Sequence, residues 1–309
     1  MNTADDTASW KGNIDYFDRY ANAVRTEKVY GEAYLRWAYE TLPGRLLVAT
    51  LVKRAWFSRW YGWRMNRPSS RNLIQPFVDE YGLDADEFVD TCDSFESFNA
   101  FFSRKLKPGT RPVDARVDSL VFPADGRHFG FENISEICGI YCKGQTLSLR
   151  GLLGDEALAT SYKKGSLVIS RLCPVDYHRF HFCAAGLSGK ARVINGVLYS
   201  VNPIALRRNI KILTENKRVV TTLDTERFGR VLMVEIGATN VGSIRQTFQP
   251  NSLVEKGEEK GYFAFGGSMT MMLFEPGTVV LDEDLVRHSS QGRELYARMG
   301  DHMGEGKHG

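Results

Sequence analysis

The sequence has few cysteines, and they form no recognisable framework. Five are present among 309 residues, an odd number whose spacings match no disulfide pattern. Cys138 and Cys142 lack a histidine or a second cysteine pair at the spacing of a zinc site, so no metal site is expected. These two cysteines are therefore expected to be buried thiols, and the compartment of the protein is expected to be reducing.

Long apolar runs and strong net charge are also missing. No stretch reaches the roughly 18 uninterrupted apolar residues of a simple membrane-spanning helix. The first twenty residues are polar and acidic, and they lack the apolar centre of a signal peptide. The formal net charge is only +3, without an RNP, zinc-finger or helix-turn-helix signature, so no nucleic-acid partner is expected.

The composition that remains is that of an ordinary globular protein with one or two domains. Hydrophobic residues make up 43% and charged residues 25% of the chain. A breaker-rich run, Lys107 to Pro112, separates two parts of different texture. We expect a helical, membrane-associating region over 1–107 and a β-rich domain over 108–309.

The first part contains three stretches with helical spacing of apolar residues, after a polar segment, 1–27, that is expected to be frayed. The pattern predicts helices over 28–41 and 45–63 and a polar-faced helical stretch over 72–106. Pro43–Gly44 is expected to interrupt the first two helices.

The second helix indicates contact with a membrane. Between Thr41 and Val78 there is no Asp or Glu but there are seven Arg or Lys, and three tryptophans lie within 45–63. Tryptophan beside arginine on an apolar helix favours an interface with anionic headgroups. A core helix with a basic edge is the alternative, and the basic bias favours the membrane.

After the breaker, short runs rich in Val, Ile, Leu and Phe alternate with turn residues. This is the spacing of an all-β sandwich or barrel. A helix is expected over 284–299 and a tail over 300–309. The fold class is thus α+β, with the helical region followed by a mostly antiparallel sandwich or barrel-like core. The predicted strands are Ser119–Phe122, Ser166–Leu172, Ala191–Val197, Val219–Leu223, Val231–Ile236, Gly261–Phe265 and Met269–Phe274.

Two histidines and an aspartate are candidates for acid–base chemistry. Asp125 stands in an Asp-Gly pair, which is first of all a turn signal. His178 and His181 lie in one compact aromatic segment. If that segment is extended, the two rings point to opposite faces, so they would do separate jobs instead of chelating one ion.

Ser268 follows two glycines between apolar runs, a pattern typical of a hairpin or bulge. A serine hydroxyl becomes a nucleophile when a base takes its proton and a carboxylate orients that base. Asp125, a histidine and Ser268 supply those groups. No Gly-x-Ser-x-Gly elbow is present, so an ordinary α/β-hydrolase is not indicated.

Several further motifs stand in order along the chain, and they are Phe98–Leu106, Pro123–Gly126, Lys143–Gln145, Asp176–His181, Asn216–Val219, Val234–Ile244 and Lys256–Gly261, leading to Gly267–Ser268. Together they make the chain similar to the phosphatidylserine decarboxylase family over about Ser94 to Thr278. The commonest family motif at the cleavage site is Leu-Gly-Ser-Thr, whereas this chain has Gly-Gly-Ser followed by Met269, and Lys217 replaces an acid.

The resemblance implies a self-cleaving proenzyme. Asp125 would orient His181, and His181 would take the proton of Ser268, which attacks the carbonyl of Gly267. Cleavage would give a β chain of 1–267 and an α chain of 268–309, paired as a heterodimer. Ser268 would become a covalent pyruvoyl (pyruvate) group, the cofactor.

The resemblance also implies the reaction. The pyruvoyl group would form a Schiff base with phosphatidylserine, release CO2 and yield phosphatidylethanolamine, while His178 manages a proton. The enzyme would be peripheral, on the cytoplasmic face of the cell membrane. Two alternatives stay open, a pyruvoyl-dependent decarboxylase of a soluble aromatic amino acid and a non-catalytic β-sandwich that binds anionic membranes. Homo-oligomer formation stays open too.

Overall fold

The computed structural model describes residues 13–52, 55–137, 141, 145–238, 244–264 and 268–307. Over this part the strands are β1 (Asp15–Asp18), β2 (Ala23–Thr26), β3 (Ser119–Val121), β4 (Gly126–Phe131), β5 (Ser166–Leu172), β6 (Arg179–His181), β7 (Gly186–Ser188), β8 (Arg192–Ile194), β9 (Arg218–Asp224), β10 (Arg230–Gly237), β11 (Ile244–Gln246), β12 (Leu253–Val254), β13 (Glu259–Phe263), β14 (Ser268–Phe274), β15 (Val279–Leu281), β16 (Glu294–Ala297) and β17 (His302–Gly306).

The helices are shorter than the sequence pattern suggests. None of those within the described ranges is long and apolar enough to cross a membrane. They are α1 (Glu32–Glu40), α2 (Leu42–Leu47), α3 (Ala55–Met65), α4 (Ile74–Tyr81), α5 (Phe98–Phe102), α6 (Leu149–Leu153), α7 (Glu156–Tyr162), α8 (Pro203–Leu206), α9 (Ile212–Glu215) and α10 (Glu283–Ser290).

One large sheet organises the molecule. Its strand order is β12-β7-β9-β10-β14-β5-β4-β16-β1-β2, with β8 also paired to β9. All of these pairs are antiparallel except β1 with β16. Two three-stranded sheets, β11-β13-β6 and β15-β17-β3, accompany it. The expectation of a mostly antiparallel β-rich core is confirmed, with several helices added to it.

The middle of the large sheet is covered on both faces. Every residue of β5 and β14 is buried, so apolar residues lie on both faces of each strand and do not alternate with exposed polar ones. Ile169 and Met271 belong to a core cluster shared with the helices α6, α8 and α9, whereas Val168 and Met272 belong to one shared with β15, α10 and β17. The sheet therefore forms the middle layer of the fold.

Both chain ends differ from expectation. The prediction of a frayed terminus is wrong for residues 13–27, because β1 and β2 form a hairpin and β1 joins β16 on the edge of the large sheet. Phe17 stacks on His288 with ring centroids 4.0 Å apart, which anchors β1. The predicted tail contains β17, and the helix predicted over 284–299 ends at Ser290 and gives way to β16. These strands are stabilised by partners distant in sequence, which local polarity does not reveal.

The break expected at Pro43–Gly44 lies inside the first turn of α2. Thr41 caps that helix, since its Oγ accepts a hydrogen bond from Gly44 N at 3.1 Å. Proline is tolerated there because the first turn needs no N–H donor. A Cβ on residue 44 would stand 2.1 Å from Trp37 O, so glycine allows α1 and α2 to approach closely.

Candidate active site

Ser268 is the first residue of β14 and is fully buried. It stands opposite Gly237 of β10 on one side and Leu172 of β5 on the other. Its Oγ makes no hydrogen bond with any residue that the structure describes. Gly267, the other half of the predicted cleavage site, lies outside the described residues, as does Gly266.

Asp125 lies at the same edge of the sheet. It directly precedes β4, whose Arg127 stands opposite Arg171 of β5. Continuing that register places Asp125 and Ser268 on either side of the end of β5. Since neighbouring strands are about 4.8 Å apart, the backbones of these two site residues are separated by about 10 Å.

The carboxylate of Asp125 is bonded to arginine and not to histidine. Arg111 Nε lies 3.0 and 2.9 Å from the two carboxylate oxygens, and its Nη2 lies 2.8 Å from Oδ2. Met299 N donates to Oδ1 at 2.9 Å. Within the described part of the chain, no hydrogen bond joins Asp125 to His181. Arg111 also pairs with Glu87 at 3.0 Å, so it is itself fixed.

His181 lies in β6, where its backbone N–H donates to Pro123 O at 2.8 Å. This bond holds the histidine beside the segment that leads to Asp125. Burial lowers the pKa of His181 to about 4, although the carboxylates of Glu259 and Asp125 act in the opposite direction. The imidazole is therefore neutral at neutral pH and can accept a proton.

His178 has different surroundings. It is fully buried, its Nδ1 lies 2.9 Å from Asp176 O, and its ring lies 3.8 Å from that of Phe102, measured between centroids. Its carbonyl oxygen accepts a hydrogen bond from Phe263 N at 2.9 Å, which ties the histidine to the strand preceding the serine. The two histidines thus have separate environments, as two separate roles require.

A small apolar cluster connects the four site residues. It consists of Ala124, Leu172, Phe180 and Phe263. Ala124 precedes Asp125, Leu172 faces Ser268 across the strands, Phe180 precedes His181, and Phe263 bonds to His178. Because each member adjoins a different site residue, the packing of this cluster fixes their relative positions.

Buried charges that the sequence reading missed support the same region. Arg127 Nη1 binds Asp176 Oδ1 at 2.7 Å, and Asp176 Oδ2 accepts from Cys173 N at 2.6 Å, which holds the loop before His178. Arg171 pairs with Glu27 at 2.6 Å. Charged residues are usually exposed, so a sequence alone offers no signal that these are buried. In the ranges the structure describes, no group of three or more metal-ligating side chains could hold a metal ion.

Buried acid–base groups gathered at one sheet edge are typical of an enzyme active site. Comparison with known proteins identifies the class of enzyme. A family model described as phosphatidylserine decarboxylase matches residues 98–305. A phosphatidylserine decarboxylase proenzyme of Chlamydia muridarum is 46% identical over 94% of this chain and 96% of its own length. Proteins of the same name from Desulfitobacterium hafniense and Fusobacterium nucleatum are 43% and 42% identical over 94% and 95% of this chain, and over 98% of their own lengths.

The chain belongs to the phosphatidylserine decarboxylase family. The resemblance inferred from the motifs is therefore confirmed, and the chain is a carboxy-lyase. The non-catalytic membrane-binding alternative is wrong. Residues 143–144 and 239–243, which belong to two of these motifs, lie outside the described residues.

Proposed function

We propose that Ser268 attacks the carbonyl carbon of Gly267 and that the chain cuts itself between these residues. The observation that carries the proposal is the Ser268 hydroxyl, which is fully buried without a hydrogen-bond partner among the described residues. Thr270 of the same strand shares this property, but the Ser268 hydroxyl is the one that directly follows Gly267 and lies at the sheet edge of Asp125. The word proenzyme in the relatives' names agrees with maturation by cutting.

His181 is the base in this proposal. Its ring is neutral at neutral pH because burial lowers its pKa to about 4, so it can take the hydroxyl proton of Ser268. Asp125 supports the protonated ring with its negative charge. Arg111 holds the Asp125 carboxylate in position.

The cutting reaction proceeds in three steps, which are ester formation, elimination and hydrolysis. The amide C–N bond breaks as an ester forms between the Gly267 carbonyl and Ser268 Oγ, and the hydroxyl proton passes to the freed amine. Loss of the Cα proton of residue 268 then breaks its Cβ–Oγ bond and releases a chain that ends in the carboxylate of Gly267. The remaining dehydroalanine takes up water and loses ammonia, which leaves a pyruvoyl group at the start of 268–309.

His178 acts in the decarboxylation itself. A pyruvoyl ketone supplies an electron sink for the bond that breaks as CO2 leaves. Since a carbonyl oxygen only accepts, the contact with Asp176 O keeps a hydrogen on Nδ1. The proton that is bound and returned during the reaction is therefore the one at Nε2.

The substrate is phosphatidylserine, and the products are phosphatidylethanolamine and CO2. This assignment is supported by the substrate named in the relatives, which match nearly the whole chain. A soluble aromatic amino acid as substrate would use the same chemistry. Release of CO2 from vesicles containing phosphatidylserine, and not from free amino acids, distinguishes the two.

An exposed apolar surface at the N-terminus would bring the enzyme to its lipid. We define this N-terminal apolar surface as Tyr34, Trp37, Leu42, Leu46, Trp60 and Trp63, all of which are exposed. Arg67 stacks over the Trp63 ring at 4.5 Å, and Arg45 and Arg64 are exposed nearby in sequence. Tryptophan with arginine suits an anionic interface, so we place the enzyme on the cytoplasmic membrane face as a peripheral protein.

Denaturing gel electrophoresis of three purified proteins tests the proposal. The wild type should give two fragments, whereas Ser268→Ala should remain one chain. Thr270→Val is the matched control, because it removes another buried hydroxyl without a described partner from the same strand; it should be cut. A wild type that stays whole on incubation, or a Ser268→Ala chain that is cut, would overturn the proposal.

A further inference from the structure

A fully buried ion pair lies between the two sheets that carry the site. Lys260 Nζ is 2.9 and 2.8 Å from the two carboxylate oxygens of Glu235, and neither side chain is exposed to solvent. Gln246 closes the ring, since its Oε1 accepts from Lys260 at 2.9 Å and its Nε2 donates to Glu235 at 2.9 Å. All three protons of the ammonium group therefore have acceptors.

Glu235 belongs to the sheet of the serine. It stands in β10 directly opposite Thr270 of β14, and Gly237 stands opposite Ser268. Because side chains alternate along a strand, Glu235, Thr270 and Ser268 share one face of the sheet. The carboxylate thus lies one side-chain row away from the nucleophile.

Lys260 belongs to the sheet that contains His181, and His178 directly precedes the strand β6 of that sheet. The lysine stands in β13, which pairs with β6. Its ammonium group lies 5.5 Å from the ring centroid of Phe180, the residue between Arg179 and His181, and 5.2 Å from that of Phe248. The lysine therefore contacts the strand of His181 and reaches across to the large sheet.

Stability alone does not explain this pair. Removing two charges from water is costly, and apolar residues of similar volume often serve a core equally well or better. A buried pair with a closed ring of hydrogen bonds instead fixes the position of one strand, β10, relative to the other, β13. Within the described residues, β11, β13 and β6 form no strand pairing with the large sheet.

Cutting at Ser268 makes this fixed position more important. Before cutting, the chain runs directly from β13 through residues 264–267 to β14. Afterwards that covalent connection is gone, and the histidines and the new chain start lie on separate polypeptides. The two sheets stay joined by connections within 1–267, such as residues 173–178 between β5 and β6, but β14 is then held beside the histidines by non-covalent contacts alone. The pair fixes β13 and β6 against β10, the strand that pairs with β14.

We propose that Glu235 and Lys260 are positioning residues that hold the sheet of His178 and His181 against the strand that begins at Ser268. The proposal rests on the self-cutting proposed above. In the uncut chain the pair aligns His181 with the Ser268 hydroxyl. In the cut enzyme it keeps His178 at the reacting group.

The test uses a double variant, Glu235→Leu with Lys260→Met, which removes the pair without leaving a buried charge. We expect a folded protein, by circular dichroism and thermal unfolding, that is cut at least about tenfold more slowly than wild type. Its cut fraction should show a lower kcat with KM nearly unchanged, because alignment and not lipid binding is impaired. Leu285→Ala, a buried change in α10, controls for lost stability and should be cut at nearly the wild-type rate.

Hydroxylamine, which cuts esters and spares amides, separates alignment from later steps. If the pair aligns the attack, hydroxylamine should not restore cutting of the double variant, since little ester forms. Restored cutting, a double variant cut at the wild-type rate, or equal slowing by Leu285→Ala would each overturn the proposal. If the double variant does not fold, Glu235→Gln with Lys260→Met replaces it, because these changes also leave no buried charge. Slower cutting is expected, and cutting at the wild-type rate would contradict the proposal. A wild type that is never cut would contradict the proposed function instead.

Discussion

Arg111 holds the carboxylate of Asp125 by contacts of 2.8 to 3.0 Å, and both side chains are almost completely shielded from water. The arginine comes from the segment that leads to β3, and the aspartate directly precedes β4. Asp125, which the sequence analysis pairs with His181, is therefore already paired with the guanidinium group of Arg111. Its negative charge is available to His181, but its position depends on Arg111.

Arg111→Met should impair both stability and cutting. The change leaves Asp125 buried with only the N–H of Met299 as a described partner, and an uncompensated buried charge costs about 3–5 kcal/mol. Thermal unfolding and the rate of cutting by gel measure the two effects. Arg116→Met, which removes an exposed arginine paired with Asp114, should change neither. An Arg111→Met protein cut at the wild-type rate would show that the position of Asp125 is unimportant.

Substitution of the two histidines should separate the two reactions. His181→Ala should leave an uncut chain, because the base for the serine proton is lost. His178→Ala should be cut normally yet release little CO2, with kcat reduced at least about a hundredfold, the usual contribution of a proton-transfer group. Gel analysis and CO2 release from phosphatidylserine vesicles measure the two outcomes. If His178→Ala stays whole while His181→Ala is cut, the assigned roles are reversed.

The rate of cutting should be insensitive to mild acid. Burial lowers the pKa of His181 from 6.5 to about 4, so the neutral base persists well below pH 6. Cutting rates measured from pH 8 downward should stay level to about pH 5 and then fall. A rate that halves near pH 6.5 would contradict a buried histidine as the base.

The free energy of unfolding should decrease as the pH falls, for the same reason. Between pH 6.5 and about 4 the unfolded chain binds a proton at His181 that the folded chain does not, so the free energy of unfolding decreases as the pH falls through this window. His128, whose pKa burial lowers to about 3, contributes in the same direction. Denaturant unfolding of the uncut Ser268→Ala protein at several pH values isolates this effect from cutting.

The N-terminal apolar surface should control binding to vesicles. Trp60→Ala with Trp63→Ala removes two exposed indole rings and should weaken binding to anionic vesicles by at least about tenfold in sedimentation assays. Leu253→Ala removes an exposed apolar side chain from β12 and should have no effect. Binding by the wild type should also weaken as salt rises. Equal binding by the tryptophan variant and the wild type would show that this surface does not bind the membrane.

Strands buried on both faces were predictable from the sequence. β5 matches its prediction at both ends, because the apolar run Leu167–Ile169 follows a turn that ends at Gly165. The strand predicted over 269–274 needs only Ser268 added at its start. β1 and β17 were missed because their stability comes from pairing with strands far away in the chain, and their own residues are largely polar.

The site was predictable where several motifs agree and not where single charges are buried. Asp125, His178, His181 and Ser268 were identified through family motifs, and the structure brings their segments to one sheet edge. Arg111 was overlooked because it lies in a breaker-rich run that indicates a linker. The ion pair of Arg111 with Asp125 forms through the tertiary fold, so the local sequence pattern around either residue does not reveal it.

The intact mass of the purified wild-type protein tests the central claim most directly. The account predicts two chains, one with the mass of residues 1–267 and one with the mass of 268–309 lowered by one molecule of ammonia, because the serine has become a pyruvoyl group. A single stable chain of 309 residues would contradict the account. So would a 268–309 fragment that still begins with an ordinary serine.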